Sequence, residues 1–192
     1  TVPFNLSIDH AQGAYKWDLD GHRYIDFVTG HGSLILGHGH PAVVEAITTQ
    51  AARGTHLGGN HELELAWADA VCRIVPGAEM VRFTSSGTEA VMMAIRMARG
   101  FTGRTRVVQF AGHFHGWSDI AFGAAGSPGI PDALRELATV IQPEADAIEA
   151  ELAKDDVAAL LVETSHPSFF TQPDPAAFLQ HLRDTTQQHG AL

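Results

Sequence analysis

The order of apolar and amphipathic segments after Pro76 constrains the fold of this chain more than any other feature. Short apolar runs alternate with longer segments of helical periodicity. The run over residues 157–162 is fully apolar, which is typical of a strand buried on both faces of a parallel sheet. The sequence therefore predicts an α/β fold with a mostly parallel sheet covered by helices. The predicted strands are residues 80–83, 106–110, 138–141 and 157–162, and the predicted helices are residues 88–99, 145–153 and 175–189.

The residues before this sheet predict a smaller N-terminal segment. Residues 13–17 and 22–27 flank Asp18-Leu19-Asp20-Gly21, which has the composition of a hairpin turn. A connector rich in glycine and histidine follows, and helices are predicted after Pro41 and over residues 61–75. We expect a segment over 1–50 that holds the hairpin, the connector and the start of the first helix. The N-terminal, incomplete part of a larger domain is expected over 51–192, with residues 112–131 mostly loop.

Composition and charge exclude several classes of protein. The 192 residues carry a formal net charge of −10, which opposes binding to nucleic acid or to an anionic membrane surface. Cys72 is the single cysteine, so no disulfide can form within this sequence, as is usual in a reducing compartment. No apolar run approaches the roughly 18 residues that span a bilayer, and residues 1–10 lack the features of a signal peptide. The sequence predicts a cytoplasmic protein without nucleic-acid or membrane partners.

The turn Ser86-Gly87-Thr88 opens a predicted helix and has two interpretations. A helix N-terminus has unpaired N–H groups and partial positive charge, so it can bind a phosphate. The alternative is an ordinary N-cap with Glu89 in the first turn. Ligands of parallel α/β sheets bind at the carboxyl ends of the strands, where this turn and the loops after residues 110 and 162 converge. That convergence favours the phosphate interpretation.

Two histidine clusters raise the question of a metal site. His31, His38 and His40 lie in the connector, and His113 and His115 lie in the loop after residue 110. Neither cluster has the His-x-x-x-His spacing or the paired cysteines of an ordinary zinc site, so no metal is expected. The sequence also lacks the Gly-x-Gly-x-x-Gly turn of dinucleotide-binding proteins and the Gly-x-Ser-x-Gly elbow of hydrolases.

Five motifs, in order and spacing, resemble those of class III aminotransferases: Asp-Leu-Asp-Gly-His-Arg-Tyr-Ile-Asp-Phe, Leu-Gly-His-Gly-His-Pro, Val-Arg-Phe-Thr-Ser-Ser-Gly-Thr-Glu-Ala, Ala-Arg-Gly-Phe-Thr-Gly-Arg and Phe-His-Gly. The similarity runs over essentially the whole chain, and the nearest branch looks like glutamate-1-semialdehyde 2,1-aminomutase and its aminotransferase relatives. The resemblance implies part of a fold-type I large domain that uses pyridoxal 5′-phosphate (PLP). It also implies a small-molecule amino donor, a carbonyl acceptor and a homodimer with sites at the subunit interface.

The resemblance further implies roles for individual residues. The turn Ser86-Gly87-Thr88 would hold the phosphate of PLP. Phe114, followed by His115, matches an aromatic ring that stacks on the pyridine, and a core aromatic is the alternative. Glu163 matches a glutamate that ends a strand and faces the cofactor pocket, which makes it the candidate catalytic residue. A capping or ion-pairing acid is the alternative for Glu163.

Two positions depart from the family pattern. Ser168 stands where an asparagine near the ring hydroxyl of the cofactor would sit, and a serine still donates a hydrogen bond but reaches less far. His31 stands where the aminomutase typically has a bulky tryptophan in its substrate region. We expect Ser168 to contact the cofactor and His31 to face the substrate.

The resemblance also places two reactive groups of the family outside this sequence. The aspartate that pairs with the pyridine nitrogen would follow Leu192, and the Schiff-base lysine would come later. The two lysines present, Lys16 and Lys154, lie in the early hairpin and in an acidic stretch. We expect the N-terminal half of a longer enzyme, inactive by itself. The alternative is a truncated relative that acts as a binding or interaction module.

Overall fold

The computed structural model describes the backbone of residues 6–123 and 128–192, and all of their side chains except those of residues 122 and 123. The chain divides into two compact units, the first ending at Met80 and the second running from Val81 to Leu192. The domain boundary expected at residue 50 stays a prediction.

An antiparallel sheet with strand order β1-β2-β3 opens the first unit, and two helices follow it. Its elements are β1 (Ile8–Gln12), β2 (Tyr15–Asp18), β3 (Arg23–Ile25), α1 (Pro41–Ala51) and α2 (Glu62–Ile74). The predicted hairpin is confirmed, because Tyr15 pairs with Ile25 and Trp17 with Arg23. Strand β1 was not predicted; it pairs along the other edge of β2.

The hairpin turn is organised by the buried carboxylate of Asp18. This carboxylate accepts hydrogen bonds from the backbone N–H groups of Asp20 and His22, at 3.0 and 2.8 Å, and from the Tyr24 hydroxyl at 2.7 Å. The bond from Tyr24 lowers the pKa of Asp18. Asp18, Asp20 and His22 place three possible metal ligands within 4.8 Å of one another. Since these donors already use the Asp18 oxygens, the group is explained as a turn.

A second buried carboxylate ties the hairpin to the histidine-rich connector. Asp26 contacts Lys16 Nζ at 2.9 Å and His38 Nε2 at 2.7 Å, and it accepts the Val28 N–H at 3.0 Å. The hydrogen bonds from His38 and Lys16 hold the pKa of Asp26 well below its usual range. His38 therefore has a structural contact inside the first unit.

The two helices of the first unit begin where the sequence predicts. Pro41 occupies the first turn of α1, as its fixed φ favours. His61 is the N-cap of α2, and its side chain accepts the Leu63 N–H at 3.1 Å.

A parallel sheet with strand order β5-β4-β6 forms the centre of the second unit. Its elements are α3 (Gly87–Thr102), β4 (Arg106–Phe110), α4 (Asp119–Gly123), α5 (Asp132–Arg135), β5 (Ala138–Ile141), α6 (Ala145–Leu152), β6 (Val157–Leu161), α7 (Pro167–Phe170) and α8 (Pro175–Gln188). The predicted α/β fold with a parallel sheet is confirmed. None of the described helices is long and apolar enough to cross a membrane.

Helices cover both faces of this sheet. Consecutive residues of a strand point to opposite faces, and Val107 and Val108 of the central strand enter two different clusters. Val107 packs with Ile95 of α3, whereas Val108 packs with Ile148 of α6 and Leu182 of α8. Two helical layers around one sheet account for the fully apolar sequence of β6.

One prediction about local structure is wrong. The strand predicted over residues 80–83 is wrong, because this stretch forms no ladder with any described strand and Met80 is 91% exposed. An apolar run becomes a strand only where a neighbouring backbone pairs with it. The described residues of the region 112–131 are mostly loop, as predicted, with α4 as their one short helix; residues 124–127 lie outside the described residues.

Candidate active site

The sequence-predicted residues of the second unit gather at the carboxyl ends of its strands. Central strand β4 leads into the loop that carries Phe114 and His115, and β6 leads into the loop that carries Glu163 and then into α7, which carries Ser168. Because β4 and β6 are neighbours in parallel register, these loops leave the sheet at the same edge. That edge is where open α/β sheets bind ligands.

The first turn of α3 has a capped end that still leaves free backbone donors. Ser86 Oγ accepts the Glu89 N–H at 3.2 Å and donates to the Glu89 carboxylate at 3.3 Å. Ser86 is therefore the N-cap of α3, so the capping interpretation is confirmed. The N–H groups of Gly87 and Thr88 have no intrahelical acceptor, and a Cβ on Gly87 would meet nothing within 4 Å. The turn thus has donors and open space, and the phosphate interpretation stays a prediction.

Thr88 connects this helix to the loop after β4. Its Oγ1 accepts the Trp117 N–H at 3.2 Å, which leaves the hydroxyl proton free to donate elsewhere. Gly116 has φ +92°, and a Cβ built on it would lie 2.7 Å from Thr88 Oγ1 and 2.8 Å from Thr88 Cα. Both the backbone conformation and the close approach require glycine at this position.

Gly116→Ala is therefore expected to destabilise the protein by about 1–3 kcal/mol, through left-handed strain and the clash with Thr88. Gly129→Ala is the matched control, because Gly129 has a similar φ of +86° but its Cβ would meet nothing within 4 Å. Melting curves of both variants measure the difference. Equal losses would show that Gly116 does not have to approach Thr88 closely.

The Glu163 carboxylate lies against the backbone of the loop after β4. Its Oε2 accepts the Phe114 N–H at 2.9 Å, and its Oε1 accepts the Ser165 hydroxyl at 3.3 Å. Glu163 thereby fixes the backbone of the residue whose ring is predicted to stack on the cofactor. Its catalytic role stays a prediction.

Two histidines that the sequence analysis assigned to no role here connect the same loops. His113 Nδ1 accepts the Glu163 N–H at 3.0 Å, and His113 Nε2 lies 2.9 Å from Ser168 Oγ. The same Ser168 oxygen lies 2.9 Å from His166 Nδ1. The signal available in the sequence was the position of both histidines, each a few residues after a buried strand.

Phe114 and His115 are placed very differently. Phe114 is 51% exposed, and its ring contacts Trp117 edge-to-face at 5.5 Å, so the core-aromatic alternative does not fit. His115 is buried, and its Nε2 has no hydrogen-bond partner among the described residues. Burial lowers the pKa of His115, which favours the neutral ring. Phe114 therefore has a free face for stacking, whereas His115 packs inward.

The remaining candidates lie away from this cluster or in the other unit. Lys154 pairs with Glu151 at 2.5 Å in the turn before β6, at the opposite edge of the sheet from Glu163. Lys16 pairs with Asp26 in the first unit. His31 is exposed in the first unit with φ +58°, and its substrate role stays a prediction.

Cavity size alone does not identify the site. The larger cavity beside α3, of about 520 Å³, is lined by residues that include Ile95, Arg96 and Arg99. The cavity that touches His113 and Phe114 has only about 80 Å³. Hydrogen-bond geometry, rather than volume, brings together the turn of α3 and the two loops.

Comparison with known proteins gives the family. The family model described as Aminotransferase class-III matches residues 1–192. A glutamate-1-semialdehyde 2,1-aminomutase from Chloroflexus aurantiacus is 46% identical over an alignment 201 positions long, which covers 97% of this chain and 45% of that protein.

Solved structures give the same result. An omega-transaminase from Sphaerobacter thermophilus superposes with a TM-score of 0.89 at 35% identity, over 100% of this chain and 48% of that chain. A transaminase solved with PLP bound superposes with a TM-score of 0.90 at 32% identity, over 100% of this chain and 48% of that chain. This chain thus spans about half the length of the relatives it matches. It belongs to the class III aminotransferase family.

Proposed function

We propose that this chain is part of a longer PLP-dependent enzyme that transfers an amino group from a small-molecule donor to a carbonyl acceptor. One observation supports this more than any other: the loop after β4 contacts both Thr88 and Glu163, through the backbone N–H groups of Trp117 and Phe114. A single loop therefore joins a helix N-terminus, an exposed aromatic ring and a carboxylate at one edge of the sheet.

The residues at the turn of α3 fit a phosphate group. The N–H groups of Gly87 and Thr88 and the free Thr88 hydroxyl proton are donors, and the helix end attracts negative charge. The space in front of Gly87 is open. The Glu89 carboxylate at Ser86 is the one opposing feature, so a bound phosphate must share Ser86 with that acid or displace it.

The neighbouring loop fits an aromatic ring with polar substituents. The exposed ring of Phe114 offers a stacking surface, and Ser168, which is hydrogen-bonded to the adjacent residue His113, supplies a hydroxyl group. When bound, PLP supplies an electron sink for the amino-acid carbon. Residues of this chain would anchor the phosphate, cover one ring face and hold a carboxylate at the site.

The reaction requires residues that this chain does not place at the site. Lys16 and Lys154 are each engaged in an ion pair elsewhere, and a PLP enzyme of this kind needs a lysine at the cofactor. We therefore propose that the longer protein supplies that lysine and the partner of the pyridine nitrogen. A homodimer, a cytoplasmic location and a substrate contact of His31 belong to the same proposal.

The full-length gene product is expected to bind PLP, which is followed by its visible absorbance, and to transfer an amino group. The assay offers primary amines and amino acids as donors with 2-oxo acids as acceptors. Glutamate-1-semialdehyde is tested separately, because one relative is an aminomutase. A protein that binds PLP but converts none of these would support the binding-module alternative, and one that binds no PLP would refute both.

A further inference from the structure

The hydrogen bonds around His113 fix the position of its proton. A backbone N–H can only donate, and the N–H of Glu163 lies 3.0 Å from His113 Nδ1. Nδ1 must therefore carry the lone pair, and the proton of the neutral ring must be on Nε2. From there it points to Ser168 Oγ at 2.9 Å.

The same reasoning orients the next bond in the chain. Because Ser168 Oγ accepts from His113, its own proton can point to His166 Nδ1 at 2.9 Å. The Ser168 N–H also donates to His166 Nδ1, at 3.2 Å, so this nitrogen carries a lone pair as well. A continuous chain of bonds thus runs from the Glu163 backbone through His113 and Ser168 to His166.

This chain of bonds tolerates only the neutral form of His113. Protonation would put a second N–H on Nδ1, directly against the N–H of Glu163. The groups that face His113 are His166, His115 and the Glu163 carboxylate, and its ring packs on Phe110 and Phe169. Burial, assisted by His166 and His115, lowers the pKa of His113, while Glu163 opposes the shift.

We propose that His113 is a positioning residue that, as a neutral imidazole, holds Glu163 and Ser168 in place and so sets the cofactor-facing loops. The expected effect of His113 on PLP affinity rests on the proposed function. It also assigns a role to the substitution at Ser168, whose hydroxyl is oriented by two histidines rather than left to rotate.

The sign of the pH dependence follows from the lowered pKa. Between the folded pKa and the ordinary value of 6.5, the folded state binds fewer protons than the unfolded state. The contribution of His113 is therefore complete above about pH 6.5 and is lost as pH falls through the folded pKa. We expect PLP affinity to fall over the same range.

Three variants of the full-length protein separate the two bonds of His113. Asn places an acceptor near Nδ1 and preserves the Glu163 bond, Gln places a donor near Nε2 and preserves the Ser168 bond, and Ala removes both. We expect His113→Ala to weaken PLP binding about tenfold at pH 8, and His113→Asn and His113→Gln to weaken it less. For all three variants, the ratio to wild type should shrink as pH falls below 6.5 and through the folded pKa of His113, because the wild-type ring then loses its neutral form.

His56→Asn, at an exposed loop position of the first unit, is the control and should match wild type at every pH. The folded pKa of His113 is first located by titrating its ring signals in the NMR spectrum of the wild type. A His113→Ala ratio that is the same at pH 8 and below that pKa would show that the ring only fills space, and would overturn the proposal. If the wild type binds no PLP, the proposed function fails, but melting curves of the apo protein still test whether His113 is a positioning residue. The wild-type advantage over His113→Asn must then disappear toward acid pH.

Discussion

Gly87→Val is expected to weaken PLP binding to the full-length protein by about a hundredfold or more, about 3 kcal/mol. A branched side chain at the first position of α3 would occupy the space through which a phosphate approaches the N–H groups of Gly87 and Thr88. Because a Cβ on Gly87 meets nothing within 4 Å, the substitution should leave the folded chain nearly undisturbed. PLP titration by absorbance, beside a melting curve, measures both effects.

Matched controls come from the same helix. Gly100 lies near the other end of α3, and its Cβ would also meet nothing within 4 Å, so Gly100→Val should keep PLP affinity. Thr88→Ala should weaken PLP binding about tenfold to a hundredfold, since a hydrogen bond to a charged acceptor contributes about 1.5–3 kcal/mol. Thr88→Ser keeps the hydroxyl and should retain most of the wild-type PLP affinity.

The two interpretations of this turn make different predictions. If it only caps the helix, Ser86→Ala lowers stability by about 1 kcal/mol, and PLP affinity is unchanged in Gly87→Val and Thr88→Ala. That result would refute the phosphate site. Since the Ser86 side chain caps α3 in the structure, a stability loss in Ser86→Ala alone does not separate the two interpretations.

The elements that sequence predicted well are those whose signal is local. Strand β4 has the predicted bounds, and α8 begins at the predicted Pro175, because apolar periodicity, caps and prolines act within a few residues. Residues 80–83 have the same apolar character, but a strand also needs a partner, and pairing is not local information. The strand prediction for residues 80–83 is wrong for this reason, whereas the predictions for β4 and α8 are confirmed.

The candidate site also has one part that local sequence predicts and another that depends on non-local contacts. The turn at residues 86–88 could be found from local sequence, since hydroxyls and glycine before a helix have a direct physical meaning. The meeting of Phe114 with Glu163 followed only from the topology of a parallel sheet. The bonds between His113, Ser168 and His166 depend on how two loops fold against each other, so they became visible only in three dimensions.

A second large effect is expected at the opposite edge of the sheet, where Arg106 begins β4. Its guanidinium contacts Asp156 through two nitrogens, at 2.7 and 3.0 Å, and Glu151 at 2.7 Å. The Arg106 and Glu151 side chains are only 12% and 15% exposed. The bonds to Asp156 and Glu151 raise the pKa of Arg106 and keep it charged, although burial opposes this.

Arg106→Met is expected to lower the free energy of unfolding by about 3–5 kcal/mol, because it removes the partly buried partner of Glu151 and leaves that carboxylate with only the more exposed Lys154. Chemical denaturation measures this loss. Lys154→Met is the matched control: Lys154 pairs with the same Glu151 but is 53% exposed, so its removal should cost at most about 1 kcal/mol.

A double variant separates the buried charge from lost packing. If the cost of Arg106→Met comes from the unpaired carboxylate, adding Glu151→Met should recover part of the stability, since apolar side chains can replace a buried ion pair. If the two losses simply add, the ion pair is not what stabilises this edge. PLP affinity at pH 8 should stay unchanged in the folded fraction of every one of these variants, because Arg106 lies at the amino end of β4 and the candidate site at its carboxyl end.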